Sequence, residues 1–367
     1  MSIISAPPRQ LASRSTAPTA SVRRLSFSRH MPPGAVHKAS ATEVFLTDAI
    51  RLGEDRFTVA ARWHRDRFLH HDFQHHDFRH HDFRHHDSRR HDFRHQEFRH
   101  HDGDNGKVDP LLLVETVRQA LIHVTHRFYG VPQGHPFVLN TLEFDLLEGG
   151  TAIRRGGQIP VVLDITCTRQ AKTPRRLGMT LDAVASVDGA RIGRVRMHWE
   201  VLDARLYAVA RNRTRQQAEA RPAGALPRGL RRLDPREVGY AHDEHVLLTR
   251  DPEATRGAFW LDMNPGHPVL FDHPCDHVPG MVLLEAFRQA VTATGAPLRP
   301  TLTRISAAFK TFGETDAPVS ITARPTPARP TRPSTAEITA VQGETTLVSA
   351  RVAYQLPQGP RRHGVAS

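Results

Sequence analysis

The seven residues Val114-Glu115-Thr116-Val117-Arg118-Gln119-Ala120 return as Leu284-Glu285-Ala286-Phe287-Arg288-Gln289-Ala290, so E-x-x-R-Q-A occurs twice, each time in an apolar setting. Self-similarity of this kind marks a duplicated structural unit. A second pair lies upstream, EVFLTD at 43–48 and HVLLTR at 245–250. Spacing tests the pairing: Thr249 to Glu285 is 36 residues, whereas Thr47 to Glu115 is 68, an excess of 32. The low-complexity tract His70 to His101, HHDFQHHDFRHHDFRHHDSRRHDFRHQEFRHH, is itself 32 residues long. Removing it makes the two spacings equal, so the tract reads as an insertion into one copy.

The tract repeats about every five residues, which fits neither the 3.6 residues of a helix turn nor the alternation of a strand. It cannot present a continuous apolar face, and a mobile surface loop is expected. Its histidines are of a kind that chelates metals adventitiously, but a selective site needs fixed geometry, and no metal is expected. The first 42 residues contain no Asp or Glu and are rich in Arg, Ser, Pro and Ala. That superficially resembles a transit peptide, and a disordered extension over 1–24 is the preferred reading. The Arg-, Ala- and Pro-rich segment 204–235 has no apolar periodicity and reads as a linker. The expected organisation is a first domain over 25–203 carrying the insertion 70–101, the linker, a second domain over 236–357, and a tail over 358–367.

Each copy carries the same order of elements. The first helix is bounded by Asp109 as N-cap, Pro110 at its first position and Gly130 after a basic last turn with His126 and Arg127. Its counterpart runs from Pro279-Gly280 to Gly295. Strand-like runs follow: Phe137 to Leu147, Ile159 to Thr168 and a hairpin from Leu177 to Leu202 turning at Asp188-Gly189 in copy one. In copy two they are Leu298 to Phe312, Val319 to Ala323 and a hairpin from Ala336 to Leu356 turning at Gln342-Gly343. One long apolar helix followed by an antiparallel sheet that must cover it is an α+β pattern.

Glu285, Arg288 and Gln289 stand at i, i+3 and i+4, on one helical face, as do Glu115, Arg118 and Gln119. A carboxylate among so many apolar neighbours is costly to bury unless it is paired or used. An intrahelical ion pair that anchors the helix accounts for the pattern as well as a catalytic pair does. Copy two adds FDHPCDHVPG at 271–280, where Asp272, His273, Asp276 and His277 crowd the start of the helix at Gly280. Histidine beside a carboxylate suits proton transfer near neutral pH, and a helix N-terminus suits developing negative charge. A structural loop, a substrate site and a metal site without an evident third ligand all remain open for this segment.

The stretch from His273-Pro274 through Pro279-Gly280 to Glu285 and Gln289 is similar to the signature of hotdog-fold 3-hydroxyacyl-carrier-protein dehydratases. Its histidine stands seven residues before Gly280 rather than nine. VHKASATEVFLTD, DPLLLVETVRQA, YGVP and FDHPCDHVPGMVLLEAFRQA, in doubled layout, more closely resemble the A-factor biosynthesis hotdog family, the γ-butyrolactone signal synthases. The resemblance runs from about Leu25 to Leu356, outside the His-rich tract and the linker. It implies a tandem double hotdog, each half a long central helix wrapped by an antiparallel sheet. It implies an acyltransferase moving a 3-oxoacyl group from acyl carrier protein to dihydroxyacetone phosphate, without a cofactor. On that footing Glu115 or Glu285 is expected as general base and Arg118 or Arg288 at the phosphate or oxyanion, one site combining Glu115 with Arg288 across the halves. Gln119, Gln289, Asp272, His273, His277 and Gly280 are expected to bind substrate. The alternatives are a hotdog thioesterase or dehydratase, and a non-catalytic acyl or lactone sensor.

Composition narrows the remaining classes. The net charge of +12 is carried almost wholly by arginine, Lys38, Lys107, Lys172 and Lys310 being the only lysines. Such a charge attracts phosphate esters or an acidic carrier protein, and genomic base composition produces the same skew. No basic helix with interleaved aromatics is present, so nucleic acid is not an expected partner. Cys167 and Cys275 are too few for a disulfide framework and fit a cytoplasmic protein. No apolar run approaches the roughly 20 residues of a membrane helix.

Overall fold

The computed structural model describes residues 24–64, 108–147, 158–173, 175–273, 275–295, 300–326 and 333–355. The expected N-terminal extension through residue 23, the His-rich insertion and the C-terminal tail lie outside the described residues.

Helix α1 (Pro110–Tyr129) begins and ends where local chemistry dictates. The Asp109 side chain accepts from the Leu111 N–H at 2.8 Å, and Gly130 closes the last turn at φ 68°. Its apolar run leaves no solvent face through most of its length: Leu111, Leu112, Leu113, Val114, Val117 and Ala120 are all buried. Each such aliphatic side chain contributes about 1.5–3 kcal/mol by leaving water. The hydroxyls of Thr116 and Thr125 are reconciled with burial by donating to Leu112 O and Leu121 O, each at 2.7 Å. Helix α3 (Gly280–Gly295) is its counterpart, with Val282, Leu283, Leu284, Ala286 and Phe287 buried.

Around them runs one antiparallel sheet. Its first half comprises β1 (Leu46–Arg51), β2 (Arg56–Trp63), β3 (Phe137–Leu146), β4 (Ile159–Thr173), β5 (Arg176–Val187) and β6 (Ala190–Leu202). Helix α2 (Ala204–Ala220) intervenes. The second half comprises β7 (Arg231–Arg232), β8 (Leu248–Arg250), β9 (Ala258–Leu261), β10 (Thr301–Phe309), β11 (Ser320–Thr326), β12 (Ser334–Gln342) and β13 (Thr345–Gln355). The strand order is β1-β2-β4-β5-β6-β3-β10-β13-β12-β11-β9-β8-β7. Leaving out the two-residue β7, the order read inward from either edge is the same. The halves meet at β3 and β10, where Phe144 opposes Ile305 and Leu142 opposes Ala307. A large antiparallel sheet curled on apolar helices fits a hotdog fold.

The β5–β6 hairpin turns at Asp188 (φ 49°) and Gly189 (φ 79°), a two-residue turn with both φ positive that matches strand twist. In the second hairpin β12 keeps Gln342 and the turn is Gly343-Glu344, one residue later than the sequence indicates. The segment 204–235, read as a linker for want of apolar periodicity, contains the 17-residue helix α2. Among the described residues no helix is long and apolar enough to cross a membrane.

Candidate active site

Helical spacing places Glu115, Arg118 and Gln119 on one face of α1. Arg118 grips Glu115 with two parallel bonds, Nε to Oε2 at 2.7 Å and Nη2 to Oε1 at 2.9 Å. Gln119 adds a third, Nε2 to Oε1 at 3.0 Å. The same amide fastens the helix to the segment before β1: its Nε2 donates to Glu43 O at 2.7 Å and its Oε1 accepts from Phe45 N at 2.9 Å.

That segment supplies a cation the sequence reading did not single out. Lys38 Nζ lies 3.2 Å from Glu115 Oε1 and 3.4 Å from Asp272 Oδ2, with no more than 4% of any of these three side chains exposed. Asp272 belongs to the loop before α3, so the lysine joins the two halves. Asp272 Oδ1 in turn meets His273 Nδ1 at 2.7 Å. The result is a chain of alternating charge: Arg118, Glu115, Lys38, Asp272, His273.

Burial pushes the Glu115 carboxyl up, but Arg118, Lys38 and the bonds from Arg118 and Gln119 outweigh it and hold the pKa at about 2. The bond to Asp272 raises His273 to about 9, so it is a cation at neutral pH. Burial opposes ionisation of Asp272, and His273 and Lys38 reverse it, leaving its pKa lowered.

These groups line an open cleft of about 1200 Å³. Val114, Ile122, Met281, Leu283, Leu284 and Phe309 give it an apolar wall, and Gly280, the first residue of α3, sits on it. A Cβ at Gly280 would meet the Phe309 ring at 3.1 Å, so a side chain there would crowd the wall. The other flank is α2. Its Arg211, 3% exposed, donates Nε to Asp276 Oδ2 at 3.0 Å and both terminal nitrogens to Glu314 at 2.9 Å, with Cζ 5.0 Å from the Phe312 ring centre. Tyr207 donates to Asp276 Oδ1 at 2.7 Å, and His277 Nδ1 lies 2.7 Å from the same oxygen. The supposed linker therefore clamps Asp276 and its neighbour His277 in place. His277 lines the cleft, and burial lowers its pKa despite Asp276.

The second half repeats the frame with different chemistry. Gln289 Nε2 donates to His245 O at 2.7 Å and its Oε1 accepts from Leu247 N at 2.8 Å, as Gln119 does with Glu43 and Phe45. Each matched pair, Glu43 with His245 and Phe45 with Leu247, is 202 residues apart, and the same step carries Lys38 to Tyr240. Tyr240 duly donates to Glu285 Oε1 at 2.8 Å, where Lys38 faces Glu115. Arg288 bonds Glu285 Oε2 through Nε at 2.9 Å, bonds the Tyr240 hydroxyl, and reaches Asp109 Oδ2 across the halves at 3.3 Å. Here one guanidinium serves two carboxylates; burial pushes the Glu285 carboxyl above its ordinary range and Asp109 adds to it. Glu285 and Arg288 are not among the residues lining the cleft. The residue the structure joins to Glu115 from the other half is thus Asp272, through Lys38, while the partner across the halves that Arg288 meets is Asp109. The repeat reaches seven residues upstream of Phe45 and Leu247, to the positions held by Lys38 and Tyr240.

Among the described residues no group of three or more His, Cys, Asp or Glu side chains is gathered to hold a metal ion. The arrangement suits an anionic ligand beside an apolar chain.

The model of the A-factor biosynthesis hotdog domain matches residues 19–87, 84–203 and 224–355. A 2-oxo-3-(phosphooxy)propyl 3-oxoalkanoate synthase of Streptomyces virginiae is 31% identical over 88% of this chain and 96% of its own length. Proteins of the same name from Streptomyces coelicolor (30% identical; 81% of this chain, 83% of that one) and Streptomyces griseus (26%; 90% and 95%) are also similar. Among solved structures, a MaoC-like dehydratase is 14% identical with TM-score 0.42, over 70% of this chain and 86% of that one. The bifunctional dehydratase-cyclase domain in ambruticin biosynthesis is 16% identical with TM-score 0.40, over 85% and 96%.

Proposed function

Because the chain belongs to the A-factor biosynthesis hotdog-domain family, we propose that it is a 2-oxo-3-(phosphooxy)propyl 3-oxoalkanoate synthase working at the cleft where Glu115 and Arg118 of its first half face residues of the second. Each half is read as one hotdog domain, 25–203 and 236–357, in a tandem double hotdog. The donor is a 3-oxoacyl thioester of acyl carrier protein and the acceptor is dihydroxyacetone phosphate. The acceptor hydroxyl oxygen attacks the thioester carbonyl, the C–O bond forms, the C–S bond breaks, and the hydroxyl proton leaves with the carrier thiol.

The observation that carries this reading is the asymmetry between the halves. Only Glu115 and Arg118 of the two Glu-Arg pairs line the cleft, and there Lys38 and His273 add two more cations. Arg118, Lys38 and His273 are suited to a phosphate or a thioester oxyanion, and the apolar wall to the acyl chain. Gly280 lets the carbonyl approach the start of α3. A carboxylate held near 2 is a poor proton acceptor at neutral pH, so Glu115 is assigned to orient its two cations rather than to act as base. Gln119 and Gln289, each buried and bonded at both ends of the amide to backbone, are assigned to positioning rather than to substrate. Glu285 and Arg288 hold the second half to Asp109.

The test is incubation of the purified chain with 3-oxoacyl carrier protein, with and without dihydroxyacetone phosphate. Release of the carrier thiol only with the acceptor, together with the mass of the phosphorylated ester, is expected. Equal release without acceptor would assign a hydrolase instead, and conversion of only a 3-hydroxyacyl thioester a dehydratase.

A further inference from the structure

Acyl transfer to a hydroxyl needs a proton acceptor, and the Glu115–His273 chain does not supply a good one: Glu115 is held near 2, Asp272 is lowered by His273 and Lys38, and His273 is already protonated. Next to Lys38 stands His37, which also lines the cleft. Behind it, His126 of α1 places Nδ1 2.8 Å from Val131 O. A carbonyl only accepts, so that nitrogen carries hydrogen, and in the Nδ1–H tautomer the other ring nitrogen, Nε2, is an acceptor. His37 Nε2 lies 2.8 Å from His126 Nε2 and must then be the donor, which leaves His37 Nδ1 with its lone pair. The Phe137 ring packs edge-on to His37 at 5.2 Å.

The backbone gives independent support. His37 adopts the left-handed conformation, φ 53° and ψ 51°, at the end of the 3-10 turn Pro33–Val36. The position 202 residues on is Gly239, also left-handed at φ 86°, after the turn Pro235–Val238. Glycine is the default for that conformation. The half whose glutamate faces the cleft carries a histidine there, and the other half does not.

We infer that His37 is the catalytic base of the reaction proposed above, its tautomer set by His126. Nδ1 takes the hydroxyl proton as the acceptor oxygen bonds to the thioester carbon, and returns it to the departing carrier sulfur. Burial first, then His126, Arg118 and His273, lower His37 to about 4, which leaves it unprotonated at neutral pH, a stronger base than Glu115 and a weaker one than free imidazole. Those three and the adjacent Lys38 are charged or titratable groups near it.

The inference rests on the acyl-transfer reading, and one experiment separates the two. His37→Gly keeps the backbone conformation, since glycine tolerates positive φ, and opens space for free imidazole. Acceptor-dependent transfer should fall about 10²- to 10⁴-fold, and added imidazole should restore at least about tenfold of that loss. Should His37→Gly fail to fold, His126→Leu carries the test, moving the acid limb of the rate profile to higher pH by removing a neighbour that lowers His37. Transfer by His37→Gly within threefold of wild type, a folded variant that imidazole leaves inactive, or an unmoved acid limb would overturn the inference. Absence of acceptor-dependent transfer by the wild-type chain would instead remove the reading beneath it.

Discussion

Replacing Lys38 with Met keeps the length of the side chain and removes one charge from the join between the halves. The ammonium lies 3.2 Å from Glu115 and 3.4 Å from Asp272, and all three side chains are almost wholly buried. Removing one member of a buried, bonded ion pair costs about 3–5 kcal/mol, because the partner stays desolvated. Glu115 retains Arg118 and Asp272 retains His273, so the lower end, ~3 kcal/mol, is expected. Urea unfolding followed by tryptophan fluorescence reads this, since the buried Trp63 bonds Thr116 on α1 at 2.8 Å and reports on that helix. Asp272→Asn combined with Lys38→Met should recover part of the loss, with a coupling of at least ~1 kcal/mol in the double-mutant cycle. Acyl transfer by Lys38→Met should fall about 10²- to 10³-fold, as for loss of one group stabilising an oxyanion. A single variant within ~0.5 kcal/mol of wild type, or strict additivity in the cycle, would refute the charge chain.

Other expectations follow from the same geometry. Arg211→Met leaves Asp276 and Glu314 without their shared buried cation; it should cost about 3 kcal/mol and loosen Asp276 and His277, which kinetics would show as a raised KM. Acidification should destabilise the fold before carboxylates titrate, because burial lowers His37, His123 and His267 each to about 4. Between about 4 and 6.5 the unfolded chain binds more protons at these positions than the folded one, so stability rises with pH there and is lost on the way down, on the order of 2 kcal/mol per group after screening. His273 acts oppositely: raised to about 9, it stabilises below 6.5 and loses that contribution as pH rises through 9. A pH series of urea midpoints checks both limbs.

Much of the frame was legible because it is local or repeated. Asp109, Pro110 and Gly130 bound α1 by backbone chemistry alone, Asp188-Gly189 names its own turn, and the E-x-x-R-Q-A spacing puts glutamate and arginine on one face. What escaped depends on contacts distant in sequence. Helix α2 has no apolar stripe to reveal it, and its hold comes from Arg211 meeting Asp276 and Glu314. The short β1–β2 and β8–β9 pairs precede the helices, where only the EVFLTD and HVLLTR fragments hinted at them. The inequality of the two halves was invisible in the motif, identical in both at the Glu, Arg and Gln positions. It lies in the pairs His37 with Gly239 and Lys38 with Tyr240, and in which carboxylate the folded chain turns toward the cleft.

The most direct measurement is a side-by-side rate of ester formation by Glu115→Gln and Glu285→Gln, with 3-oxoacyl carrier protein and dihydroxyacetone phosphate, at a temperature where both variants are folded. Chemistry at the Glu115 cleft requires Glu115→Gln to lose more than about 10²-fold while Glu285→Gln stays within about tenfold of wild type. Equal losses, or the reverse ranking, would contradict it.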